Sequence, residues 1–160
     1  MRRLAALFDR LSDAAGAVAG AATLVLTIMV TAGVVARRVL NAPFLFVEEV
    51  SGYVVLLIVF LGLAYTMKVG GHVRVEVLVE RVRGRGAVVL RGATLVLAGA
   101  WAAILLAGTI YQVREYYTQN VLSFAYLQTP LWIPGSLMAV GAAILVLQCL
   151  ALLLRVGRDD

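Results

Sequence analysis

Polar and apolar positions in this chain are gathered into long blocks. No Asp, Glu, Lys, Arg or His interrupts Ala14 to Ala36, Val50 to Met67, or Gly92 to Val113. A fourth uncharged run, Tyr116 to Leu154, is polar and aromatic in its first half and apolar from Leu131 onward. A helix needs roughly 20 mostly apolar residues to cross the hydrocarbon core of a bilayer. Inside lipid, every backbone N–H and C=O must find its partner within the segment or in a closed barrel. The blocks therefore predict an all-α membrane protein. Its four transmembrane helices fall at about 14–36, 50–67, 92–113 and 131–154, in one domain covering residues 1–160.

The segments between the blocks carry patterns of their own. In residues 1–13, Leu4, Leu7, Phe8 and Leu11 share one helical face, which predicts a short amphipathic segment beside the membrane. Gly16, Ala17, Gly20 and Ala21 set small residues at four-residue spacing in the first helix, where another helix can approach closely. Residues 37–49 form a short apolar loop in which Pro43 breaks the helix and Phe44, Leu45 and Phe46 lie at the lipid–water interface. Residues 68–91 fit a strand or a helix equally by periodicity. A lone strand beside a membrane lacks a partner, so an interfacial amphipathic helix is expected. Residues 114–130 form a second loop, ringed by Tyr111, Tyr116, Tyr117, Phe124, Tyr126 and Trp132 as an aromatic belt. Pro134 is tolerable in the first turn of the helix that follows.

Composition supports the membrane assignment. Apolar residues make up 62% of the 160-residue chain and charged residues 14%, against about a quarter charged in a soluble domain. The net charge of +5 is distributed by side. Arg2, Arg3, Arg10, Lys68, Arg74, Arg81, Arg83, Arg85, Arg91, Arg155 and Arg158 fall on one side of a four-crossing topology, and only Arg37, Arg38 and Arg114 on the other. Eleven against three, under the positive-inside rule, puts both termini in the cytoplasm. The basic excess then reflects topology and contact with anionic lipid, with no nucleic-acid partner. The first apolar run is longer than the roughly 7–15 residues of a cleaved signal core, so it is expected to be retained.

Candidate chemistry is sparse. The single histidine, His72, cannot make a bis-histidine haem site, and no glycine-rich phosphate loop occurs. The single cysteine, Cys149, lies in the fourth apolar run and is expected to pack as a small core residue. No cofactor or enzymatic activity is expected. No ionisable residue lies in the middle of a predicted span, where such groups usually mark ion pathways. Glu48 and Glu49 sit at the mouth of the second helix. They are either an acidic pair favoured by the helix dipole or partners for Arg37, Arg38 or another protein.

One ordered set of elements is more specific. It runs from Arg37 through Pro43, Phe46, Glu48-Glu49 and Ser51, then Leu61-Gly62-Leu63-Ala64-Tyr65, Gly71-His72-Val73-Arg74-Val75-Glu76 and Thr129-Pro130-Leu131-Trp132. In this order and spacing the chain resembles the small membrane subunit of TRAP transporters, the DctQ-type family. Phe46 stands where that family usually has Trp, and Glu76 where Asp is common. Ile133-Pro134-Gly135 occupies a position often aromatic in the family.

The resemblance implies a small permease subunit of a tripartite, ATP-independent transporter in a bacterial inner membrane. Its implied partners are a large TRAP membrane subunit carrying the solute and ion sites and a periplasmic solute-binding protein, with the lipid bilayer around both membrane chains. An ion gradient would drive uptake of a small organic solute such as a carboxylate. Arg37, Glu48, Glu49, His72, Arg74, Pro130 and Trp132 become candidate structural or subunit-interface residues. Two alternatives remain: a self-contained small oligomeric transporter, and a non-catalytic membrane anchor or assembly subunit.

Overall fold

A computed structural model describes residues 2–41, 44–69 and 85–154. Four helices account for most of them: α1 (Arg2–Val39), α2 (Leu45–Lys68), α3 (Arg85–Thr118) and α4 (Trp132–Leu153). Each contains a stretch long and apolar enough to cross a membrane: Leu7–Val39, Leu45–Lys68, Gly92–Thr118 and Trp132–Leu153. There is no β-strand among the described residues beyond one isolated bridge. The chain is an all-α membrane protein.

Three of the four helices overrun the charge-free blocks, and α4 stays within its own. α1 has 38 residues, which at about 1.5 Å per residue is about 57 Å, nearly twice the hydrocarbon thickness. The expected separate segment at residues 1–13 is the first part of α1, continuous with the span. α3 likewise runs on through Arg114 and Glu115 to Thr118, taking in the first five residues, 114–118, of the expected second loop. The physical reason is that a charge ends the apolar window without breaking the backbone hydrogen-bond ladder. α1 ends at Val39, two residues before Asn41, where the backbone turns to φ 48°, and asparagine tolerates that left-handed conformation better than most residues. The amphipathic helix expected within 68–91 falls on residues outside the described ones, except that 85–91 open α3.

α4 is the hub. It packs against α1, α2 and α3, whereas α3 packs chiefly against α4 and α1 pairs with α2. The core around α4 joins Ala64 and Met67 of α2, Leu95 and Ala102 of α3, and Leu145 and Cys149 of α4. Cys149 is buried there as a small apolar side chain. The tightest crossing is at Gly141, where an added Cβ would lie 2.7 Å from the backbone carbonyl of Phe60. Only glycine lets α2 and α4 come so close.

On α1 the inward stripe is Ser12, Ala15, Ala19, Gly33 and Ala36, at helical spacing. The expected small-residue face divides accordingly. Gly16 lies under the Tyr65 ring, whereas Ala17, Gly20 and Ala21 are exposed, with nothing within 4 Å of a Cβ at Gly20. Much of the outer surface is apolar, including Leu24, Ile28 and Val34 on α1 and Leu97, Trp101 and Ile104 on α3. For side chains in a bilayer this is the favourable arrangement, because lipid tails are as apolar as leucine.

Candidate functional site

Successive residues on a helix point about 100° apart. At the start of α2 this separates two adjacent carboxylates. Glu48 faces the last turn of α1, where Arg37 Nη2 donates to Glu48 Oε1 at 2.9 Å. Both side chains remain largely in the open, 61% and 74% exposed. Of the readings open for the acidic pair, Glu48 takes the one with Arg37, as a surface ion pair between the first two helices.

Glu49 turns the other way and is 7% exposed. The Tyr53 hydroxyl, one helical turn ahead, donates to its Oε1 at 2.7 Å. The backbone N–H of Leu127 donates to Oε2 at 2.8 Å, and that of Thr129 donates to Oε1 at a long 3.4 Å. A charge-bearing side chain near lipid is costly unless its lone pairs are met. Here three donors meet them, two from the backbone of a segment about 80 residues away.

That segment, 119–131, joins α3 to α4 and is folded on itself. Asn120 and Gln128 take left-handed conformations at φ 47° and 48°. Leu131 N–H donates to the Val121 carbonyl at 3.0 Å and Ser123 N–H to the Thr129 carbonyl at 2.9 Å. These bonds flank an isolated antiparallel bridge between Leu122 and Pro130. Proline fits there because its neighbours supply the N–H groups it lacks. Trp132, the first residue of α4, stacks edge-to-face on Tyr117 of α3 with ring centroids 5.8 Å apart. Glu49 is thus tied to the segment that carries Pro130 and leads into Trp132, about 80 residues away in sequence. Arg37 and Glu48 lie at the same end of the bundle without touching it. His72 and Arg74 lie outside the described residues.

At the opposite end a second polar cluster joins α1, α2 and α4. Ser12 Oγ donates to Gln148 Oε1 at 2.8 Å, and both residues are 0% exposed. Gln148 Nε2 donates to Asp9 Oδ1 at 3.3 Å. Lys68 Nζ, at the end of α2, donates to the Asp9 carbonyl at 3.3 Å and pairs with Asp13. Sequence reasoning passed over these residues. The available signal was Gln148, an amide standing alone among apolar residues in the second half of α4, where its cost implies a partner.

Both clusters use polar side chains to tie helices together at the edges of an apolar bundle. Among the described residues no group of three or more His, Cys, Asp or Glu is placed to hold a metal ion. No curated protein matches the chain. Residues 26–159 match the family model for the DctQ component of tripartite ATP-independent periplasmic transporters. The match takes in all of the loop-end cluster and the part of α1 from residue 26 onward, leaving Asp9, Ser12 and Asp13 outside it.

Proposed function

This chain belongs to the DctQ component family of tripartite ATP-independent periplasmic transporters, and from that premise we propose that it scaffolds the large membrane subunit during ion-gradient-driven uptake of a small organic solute such as a carboxylate. The family's proteins are transporter subunits, and this one is a multi-pass membrane protein. The observation that carries the scaffold role is where its polar groups are used. Glu49, Ser12 and Gln148 are all committed to bonds within the chain, and much of what faces outward along the spans is apolar. A solute site needs several convergent polar groups in a concave pocket. A packing subunit needs a rigid bundle with an apolar exterior.

In this reading both termini are cytoplasmic, in keeping with the eleven-to-three distribution of basic residues. The 119–131 segment then faces the periplasm, from which the solute-binding protein delivers its cargo to the large subunit. His72 and Arg74 hold the cytoplasmic loop against headgroups or helix ends.

Co-expression of the tagged chain with the neighbouring large membrane subunit tests the proposal. The two are expected to co-purify in stoichiometric amounts, and the chain alone to show no saturable binding of organic acids in detergent. Saturable micromolar binding by the isolated chain, lost on substitution of span residues, would overturn the scaffold role. A periplasm-active reporter is expected to be active when fused at Asn120 and silent when fused after Arg158. The reverse pattern rejects the orientation.

A further inference from the structure

A groove of about 560 Å³ runs between α1 and α2 at the loop end. Its floor is apolar: Val30, Gly33 and Val34 of α1 and Val47 of α2. Its rim carries Arg37, Arg38 and Glu48. The polarity is ordered along the membrane normal. Arg37 and Arg38 occupy the last turn of α1, at the end of its span. Val30 lies seven residues deeper on the same helix, about 10 Å toward the bilayer centre at 1.5 Å per residue. At Gly33 the two helices pack closely under the groove: Val47 lies only 3.2 Å from where its Cβ would be.

The rim charges are not balanced. Glu48 offsets Arg37, while Arg38 is exposed and makes no ion pair among the described residues. The rim therefore has a net positive charge above an apolar trough. A comparable groove between α3 and α4 offers only Arg114 as a cation.

We infer that the α1–α2 groove is a binding site for an anionic phospholipid. The phosphate sits against Arg38 and the outer face of Arg37, and one acyl chain lies along Val30, Gly33, Val34 and Val47. Charge complementarity selects this occupant. A guanidinium matches a phosphate with two parallel N–H donors, and the end of a span is the depth at which lipid phosphates lie. A zwitterionic lipid satisfies the trough but leaves the net rim charge unneutralised. A free phosphate satisfies the rim but leaves the trough empty. A further transmembrane helix fits this rim only if it brings an acid of its own to meet Arg38.

The test is native mass spectrometry of the full chain from mixed micelles containing equal amounts of phosphatidylglycerol and phosphatidylcholine. The wild-type chain is expected to retain phosphatidylglycerol selectively. Arg38→Ala, at an exposed position with no ion pair among the described residues, is expected to weaken that retention about tenfold, and Val34→Trp to block it by filling the trough. Arg10→Ala, at the other end of α1, should leave it unchanged, and excess inorganic phosphate should not displace the lipid. Equal retention of both lipids, or retention indifferent to both Arg38→Ala and Val34→Trp, would mean ordinary annular lipid and overturn the site. Displacement by inorganic phosphate would assign the rim to a free anion. If Arg38→Ala instead abolishes co-purification of the large subunit while lipid retention is unchanged, the groove is a protein interface and the inference fails.

Discussion

The two ends of the bundle perform the same task with different chemistry. At the loop end an ionised side chain, Glu49, collects two backbone N–H groups and a tyrosine hydroxyl from two elements. At the terminal end the fully buried pair is neutral: the Gln148 amide accepts from the Ser12 hydroxyl and donates to the Asp9 carboxylate, and Asp9, Asp13 and Lys68 stay at its edge. The difference follows from what each must hold. An irregular loop leaves backbone donors unpaired, and a carboxylate is the side chain with enough acceptor capacity to gather several at once. Packed helices have already satisfied their own backbones, so one neutral amide, accepting from the Ser12 hydroxyl and donating to the Asp9 carboxylate, joins the two helices. Glu48 supplies the internal control. One residue from Glu49 and of identical chemistry, it ends in an exposed pair with Arg37. The position on the helix, not the residue type, separates a clasp from a surface contact.

The largest expected effect is at Glu49. Glu49→Ala strands the Leu127 and Thr129 amides and the Tyr53 hydroxyl, at about 3 kcal/mol for a group with several charge-assisted bonds. The check is the unfolding midpoint in a denaturing-detergent titration, together with faster hydrogen exchange at Leu127 and Thr129. Unchanged exchange at those two amides would show that the segment holds itself together and that Glu49 is incidental. At the other end, a Ser12→Ala and Gln148→Leu double-mutant cycle should give a coupling of about 0.5–1.5 kcal/mol, the range of hydrogen bonds between membrane helices. A coupling larger than the Glu49 effect would reverse the ranking of the two ends.

Lys68→Met removes the Asp13 pair and the bond to the Asp9 carbonyl but keeps most of the apolar stem. Because Asp13 is half exposed, about 0.5–1 kcal/mol is expected, with the loss reduced in high salt. The smallest effect is at the surface pair. An Arg37→Ala and Glu48→Ala cycle should show about 0–1 kcal/mol of coupling, vanishing at high ionic strength. If that coupling instead matches that of Ser12 and Gln148, the Arg37–Glu48 pair is shielded from water by lipid or a partner chain, and the contrast between the two acidic neighbours disappears.

Much was legible from the residues alone. The four spans follow from the energy of placing charges and unsatisfied backbone in hydrocarbon, a cost that accrues along the chain without reference to neighbours. The family resemblance rested on ordered motifs at Arg37, Glu48-Glu49 and Thr129-Pro130-Leu131-Trp132, and the match over residues 26–159 agrees with it. The burial of Cys149 followed from its apolar surroundings. Helix ends were less legible, because a charge closes an apolar window without ending a helix; α1 and α3 both run past theirs. What only the tertiary structure decided was pairing. Glu48 and Glu49 are equivalent in sequence, and the partner that distinguishes them lies in another loop. Gly16 and Gly20 are equivalent in pattern, yet only Gly16 meets another helix. Gln148 finds Ser12 across 136 residues. Membrane insertion sums over local composition, whereas a hydrogen bond or a helix crossing depends on a distance of a few ångströms between segments that the chain brings together only when the bundle closes.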